Sequence, residues 1–284
     1  MGGLAEHEYK ALRVLTAPRL MGRALPWVGG AVGLKLVLEL LDVHPLALNP
    51  LLSGLVAANV FLLGFLLAGT LADYKESERL PGELAGALDT IADECLIVHA
   101  EKGVPEGAGC LEHTADVADT IRRYLFNEHE FDHALSAVRG FNPYFQVFGP
   151  LIQPGFTTRL KSEQATVRRV LIRMEAIRST TFVAAGYAIA GLTGVLLIAG
   201  LELTNLADQL VESLFFAGVI TMLLTYVFLL IRDLDDPFSY PDGTEGVADV
   251  SLAPLTQVEK RLRAELAALR PSAAAPPAAP GAGT

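Results

Sequence analysis

Four long apolar windows constrain this sequence of 284 residues more than any other feature. A helix needs about 20 mostly apolar residues to cross the roughly 30 Å hydrocarbon core of a bilayer. The windows that meet this requirement are Leu25–Leu41, Pro50–Leu71, Thr181–Leu201 and Gln209–Ile231. The whole chain is only 51% apolar, a value close to that of soluble proteins. The concentration of apolar residues in these windows therefore carries the prediction of four transmembrane helices.

The polar stretch between the second and third windows is long enough to form a domain, and its apolar residues recur at helical spacing. We therefore predict an all-α membrane protein with a large cytosolic helical domain. Residues 102–110 contain three glycines and a proline, which predicts a loop, and Pro81 predicts a boundary or kink. The predicted segments are an amphipathic N-terminal segment (1–24), transmembrane helices 1 and 2 (25–71), the cytosolic domain (72–180), transmembrane helices 3 and 4 (181–231), a cytosolic acidic loop and helix (232–270), and a disordered tail (271–284).

Lysine and arginine are distributed unevenly around the four windows. Residues 1–24, the 72–180 stretch and the segment after the fourth window all carry them, whereas the short loops 42–49 and 202–208 carry none. Cytosolic loops are enriched in these residues, so both termini and the large domain are predicted to lie in the cytosol. We expect an integral protein of the plasma (inner) membrane with lipid as its surroundings. The net charge of −10 argues against nucleic acid as a partner.

Two ionisable residues, Lys35 and Glu39, lie one helical turn apart inside the first window. Ionisable residues at membrane depth are costly, and they mark either function or internal pairing. The spacing of four residues brings both side chains to one face of a helix. We favour an ion pair between them that faces the interior of the helix bundle.

The second window carries the most informative pattern. Ser53, Ala57, Phe61 and Phe65 follow one another at intervals of four residues and so share a helix face. Small residues are frequent on the same helix, and they permit close approach of a neighbouring helix. This pattern fits a pore-lining helix, with Ser53 at the outer mouth and the other three as the neck. It fits ordinary helix packing equally well.

A short histidine motif offers an enzymatic alternative. Residues 129–133 read His-Glu-Phe-Asp-His, and on a helix this spacing places His129 and His133 on one face with Glu130 beside them. Zinc metallopeptidases use that arrangement. No histidine follows His133, so a third ligand would have to be a carboxylate such as Glu163 or Glu175. The favoured interpretation is a solvated helix face that binds no metal.

An acidic cluster follows the fourth window, in the sequence Arg232-Asp-Leu-Asp-Asp-Pro-Phe238. Clustered carboxylates can bind Ca²⁺, which takes six to eight oxygen ligands, or they can attract cations to a pore mouth. Asp235 and Asp236 can equally end the helix, because the following proline cannot continue it. We expect a structural role for the pair, with calcium as the open alternative and no other cofactor.

The order of these features resembles the bestrophin family and its prokaryotic relatives. The resemblance rests on the Gly-Phe65 pair at the inner end of the second window, the polar continuation with Leu-Pro81 beyond it, and the Asp-Asp-Pro-Phe238 motif. It implies a homopentameric channel for small ions, mostly anions such as chloride, although some bacterial members select cations. It also implies a hydrophobic neck, which falls by position on Ala57, Phe61 and Phe65.

We therefore predict a non-enzymatic, bestrophin-like ion channel that conducts small inorganic ions passively through a central pore. The second transmembrane helix of each copy would line that pore. Two alternatives remain open at this point. One is a zinc-dependent membrane peptidase built on His129 and His133, and the other is a non-conducting membrane scaffold or sensor.

Overall fold

The computed structural model describes residues 18–43, 45–46, 50–179, 184–207, 209–240, 243–245 and 249–269. All regular elements within these ranges are α-helices, and they contain one isolated β-bridge, between Leu46 and Thr204. The helices are α1 (Pro18–Leu40), α2 (Pro50–Lys102), α3 (Pro105–Leu125), α4 (Phe131–Arg139), α5 (Phe141–Phe148), α6 (Pro154–Ser179), α7 (Ala184–Glu202), α8 (Leu210–Leu234) and α9 (Ala253–Leu269).

Helix α2 is 53 residues long and runs without interruption through Pro81. Of the two alternatives that we predicted at this proline, the boundary is therefore wrong, and the kink stays a prediction. A proline inside a helix removes one backbone hydrogen bond, and tertiary packing has to compensate for that loss. Leu80, Leu84 and Leu88 supply such packing, because each is almost fully buried on the same side of the helix. Burial of these apolar side chains thus stabilises α2 across a proline, a residue that normally ends a helix.

Two of the described helices, α2 and α8, are long and apolar enough to cross a bilayer. A shorter apolar stretch, Gly186–Glu202, forms most of α7. Helix α1 begins at Pro18, so the first apolar window and the end of the predicted N-terminal segment form one helix. The rest of that segment and the predicted tail 271–284 lie outside the described residues.

The described residues divide into two units. The first contains α1, the apolar part of α2, α7 and α8. Its core combines residues at helical spacing on three helices: Leu63, Leu66, Ala190, Leu197, Leu224 and Ile231. Because successive members lie three or seven residues apart, each helix contributes one narrow stripe to this core.

The second unit contains the polar part of α2, most of α6, and α3, α4, α5 and α9. Its buried residues include Leu88, Leu111, Ile121 and Phe141. The predicted loop 102–110 is mostly wrong, because α3 begins at Pro105. Proline is well suited to the first turn of a helix, where its missing N–H leaves no bond unmade. A side chain at Gly107 would place its Cβ only 2.7 Å from His99 Cβ, so this glycine allows α3 to approach α2 closely.

Candidate functional site

The two faces of α2 within the first unit differ sharply in burial. Asn59, Leu63 and Thr70 form part of a stripe that packs inside the chain, with at most 4% of each residue exposed. Phe61 and Phe65 are 77% and 66% exposed. Since successive residues are rotated by roughly 100° in a helix, Phe61 points almost directly away from this buried stripe. The described chain therefore provides little packing for these two aromatic side chains.

Small residues surround these phenylalanines on the exposed face of α2. They are Gly54, Ala57, Ala58, Gly64 and Ala68. A Cβ atom added at Gly54 or Gly64 would meet no other atom within 4 Å, so packing inside the described chain does not require glycine there. Glycine in a helix interior costs roughly 0.5–1 kcal/mol relative to alanine. The flat surface that these residues create is suited to the close approach of another helix.

The four residues predicted for the pore fall on or beside this face. Successive members of the series Ala57, Phe61 and Phe65 are rotated by about 40° around the helix and lie roughly 6 Å apart along it. Ser53 is also exposed and lies at the edge of the same face. We call the surface formed by Gly54, Ala57, Ala58, Phe61, Gly64, Phe65 and Ala68 the phenylalanine face.

The predicted ion pair inside the first window is confirmed. Lys35 is fully buried, and its Nζ lies 3.1 Å from a carboxylate oxygen of Glu39. The ammonium group also donates hydrogen bonds to the carbonyl oxygens of Glu202 (3.2 Å) and Thr204 (2.6 Å). Ser213 donates to Glu39 over 2.6 Å. Helix α1 is thereby tied to the end of α7 and the start of α8, which gives the pair a structural role.

The acidic cluster ends α8. Asp235 is the C-terminal capping residue of the helix, and its N–H donates to the carbonyl oxygen of Ile231. Loss of water around Asp236 raises the pKa of its carboxyl group, and the positive charge of Arg178 opposes that rise. Among the described residues, no group of three or more His, Cys, Asp or Glu side chains is arranged to hold a metal ion. Calcium binding at this cluster stays a prediction.

The histidine motif is not carried by a single helix. Helix α4 begins at Phe131 after the capping residue Glu130, so His129 precedes the helix. The rings of His129 and His133 nevertheless stack, with centroids 4.6 Å apart. The described residues supply no third ligand to this pair. Of the two carboxylates considered as that ligand, Glu175 instead accepts a hydrogen bond from Tyr124.

Comparison with known proteins identifies the fold. No family model matches the sequence, and no curated protein matches it. Three crystal structures of a bacterial bestrophin homolog from Klebsiella pneumoniae, each with a different mutation, are similar to the chain with TM-scores of 0.72, 0.73 and 0.73. Sequence identity is 14% in each case. The matches cover 88%, 86% and 88% of this chain and 99%, 98% and 99% of those chains.

A further crystal structure, described as that of a membrane protein, has a TM-score of 0.71 at 15% identity and covers 87% of this chain and 98% of its own. At sequence identities this low, the structural similarity establishes the fold but not the activity. The resemblance predicted from the Gly-Phe65, Leu-Pro81 and Asp-Asp-Pro-Phe238 motifs is confirmed at the level of the fold. The chain is therefore a bestrophin-like protein in its fold.

Proposed function

We propose that this protein is a membrane channel that conducts small ions passively through a pore between several copies of the chain. The bestrophin-like fold, the apolar helices α2 and α8, and the uneven distribution of lysine and arginine support this proposal. In the proposed arrangement, four helices cross the plasma membrane, and both termini and the second unit lie in the cytosol. Epitope tags near His44 and in the 102–109 segment would be expected to report opposite sides of the membrane.

The observation that carries the proposal is the phenylalanine face. Two interpretations of an exposed apolar face on a membrane helix compete, since the surface can face lipid or another copy of the chain. Lipid-facing positions do not require small residues, whereas close contact between membrane helices does. Gly54 and Gly64 lie beside the phenylalanines although nothing in the described chain requires glycine there. This combination favours neighbouring copies on both sides of the face, with Phe61 and Phe65 directed into the space between them.

A ring of phenylalanines from several copies would form an apolar constriction. Such a constriction gates ions by losing its water, and ions pass it only after shedding part of their hydration. Aromatic ring edges are electropositive, so edges directed at the pore axis tolerate an anion better than a cation. We therefore favour anions such as chloride as the permeant ions, with cation conduction as the alternative outcome of a flux measurement. Five copies, as in the family that the sequence resembles, are the proposed assembly.

The test compares two truncations on the same helix. Phe61→Ala would widen the constriction and raise ion flux into liposomes, because its side chain has little packing to lose within the chain. Leu63→Ala is the matched control: Leu63 is 4% exposed in the core, so its truncation should lower stability by about 2–5 kcal/mol. Native mass spectrometry would show whether each variant remains a pentamer. Loss of assembly in Phe61→Ala without a gain in flux would mean that this face packs against a neighbour and lines no pore.

A further inference from the structure

A cavity of about 920 Å³ lies inside the first unit, between α1, α2, α7 and α8. Its volume is within the range of roughly 300–1,000 Å³ that is usual for sites that hold small molecules. The wall is mostly apolar and includes Trp27, Leu34, Val195, Ile198, Leu224 and Phe228. Because most of this wall is apolar, the cavity is suited to an apolar molecule or to neighbouring protein.

Two arginines lie at one end of the cavity. Arg23 is near the beginning of α1, Arg232 is in the last turn of α8, and both side chains are exposed. Within the described part of the chain, neither guanidinium group has a hydrogen-bond or ion-pair partner. Glu202, the single acidic residue of the described lining, is the last residue of α7 and lies toward the opposite end. The arginine end is therefore free to receive an anion.

The cavity is at least as long as the acyl chain of a phospholipid, which occupies half of a bilayer. Arg23 and Leu34 both line it and are eleven residues apart on α1, which corresponds to about 16 Å along the helix. Half of the roughly 30 Å hydrocarbon core of a bilayer is about 15 Å. Trp27 follows Arg23 by one helical turn on the same face. Tryptophan is enriched in membrane proteins near the lipid headgroups.

We infer that this cavity binds an anionic phospholipid of the inner leaflet, with the phosphate at Arg23 and Arg232 and acyl chain between the four helices. The inference uses the membrane placement given under the proposed function, but it does not require the pore. Charge favours an anionic over a zwitterionic lipid, since each basic side chain near an anionic surface contributes about fivefold in binding. Two arginines therefore predict a preference of roughly 25-fold.

Trp27 is the only tryptophan in the chain, and this provides the measurement. A phospholipid with brominated acyl chains quenches tryptophan fluorescence on contact. The purified protein is placed in vesicles of phosphatidylcholine that contain either brominated phosphatidylglycerol or brominated phosphatidylcholine. We expect stronger quenching by the anionic lipid, with the roughly 25-fold preference estimated above. Equal quenching by both lipids would overturn the inference.

Matched variants locate the site. Arg23→Gln/Arg232→Gln should abolish the preference, whereas Arg139→Gln, on the second unit, should retain it. A Cβ at Gly30, in the cavity wall, or at Gly33, outside it, would meet no atom within 4 Å. Gly30→Leu should therefore exclude the lipid, while Gly33→Leu on the same helix should not. A preference that survives the double arginine substitution would contradict the site.

The outcome is separable from that of the channel proposal. Selective quenching in a protein that conducts no ions would contradict the pore and leave the lipid site standing. Ion flux in a protein that shows no lipid preference would contradict the lipid site and leave the pore standing.

Discussion

Among single residues, one histidine of the second unit, His113, has a pKa that is lowered by its surroundings. Nε2 of His113 lies 3.0 Å from the carbonyl oxygen of Ala137, to which it donates a hydrogen bond. The ring packs edge-on against Phe141, and a Cβ at Gly140 would lie 2.6 Å from its Cε1 atom. Burial lowers the pKa of His113 below its usual 6.5, although the Ala137 hydrogen bond and the charge of Asp116 act in the opposite direction.

This shift predicts a loss of stability in acid. Near and below pH 6.5, the ordinary pKa of histidine, the unfolded chain binds a proton at His113 more readily than the folded chain does. The free energy of unfolding therefore falls as the pH decreases from 6.5 toward the lower pKa of the folded state. Thermal unfolding of the purified protein measures this slope. His113→Gln should flatten it, and an unchanged slope in this variant would contradict the assignment.

Single residues also mark the limit of prediction from sequence. The Lys35–Glu39 pair was predictable because both partners lie on one helix at a fixed spacing. Its other partners, the carbonyl groups of Glu202 and Thr204, were not, because they lie more than 160 residues away in the sequence. Cys95 and Cys110 show the same limit: their Sγ atoms are 2.7 Å apart as free thiols, and the close helix contact that brings them together carries no local signal.

At the scale of elements, α9 docks on α3 inside the second unit through both apolar and charged contacts. Leu255 and Leu262 are buried on its inner face. Arg263 pairs with Asp116 over 3.3 Å at the surface, where the arginine side chain remains 45% exposed. The two kinds of contact contribute very different amounts, because solvent screens an exposed ion pair and burial removes apolar surface from water.

We expect Leu262→Ala to destabilise the second unit by about 2–5 kcal/mol, and Arg263→Ala by less than about 1 kcal/mol. Limited proteolysis of the purified protein would follow the release of α9, and denaturant unfolding would give the free energies. Comparable losses in the two variants would mean that ion pairs, and not apolar packing, hold the helix.

The elements that sequence reasoning misplaced have a common cause. Pro81 and the glycines of residues 102–110 are strong local signals for an interruption, yet the first lies inside α2 and most of the second inside α3. In both places tertiary packing overrides the local preference, through the buried leucines around Pro81 and the close approach at Gly107. The histidine motif does not lie on one helix, because α4 begins only at Phe131. Helix boundaries are the least certain feature of a prediction from a periodic pattern.

At the scale of the whole molecule, the apolar windows and three short motifs were sufficient to predict the bestrophin-like fold, because they depend only on composition and order along the chain. The lipid cavity could not be predicted, since four helices that are distant in sequence combine to form it. The phenylalanine face could be predicted only in part. Helical spacing predicted that Phe61 and Phe65 share a face, but only the structure shows that this face is not the one packed inside the chain.

Chemical modification during conduction shows whether the phenylalanine face lines a pore. The native Cys95 and Cys110 are buried, so cysteines introduced on α2 would react with little background. Liposome flux is measured for Phe61→Cys and for Val60→Cys before and after addition of a small neutral thiol reagent. Val60 is also exposed but is rotated by roughly 100° from Phe61. We predict that the reagent stops flux through Phe61→Cys and spares Val60→Cys; unchanged flux through Phe61→Cys, or equal block of both, would contradict the pore.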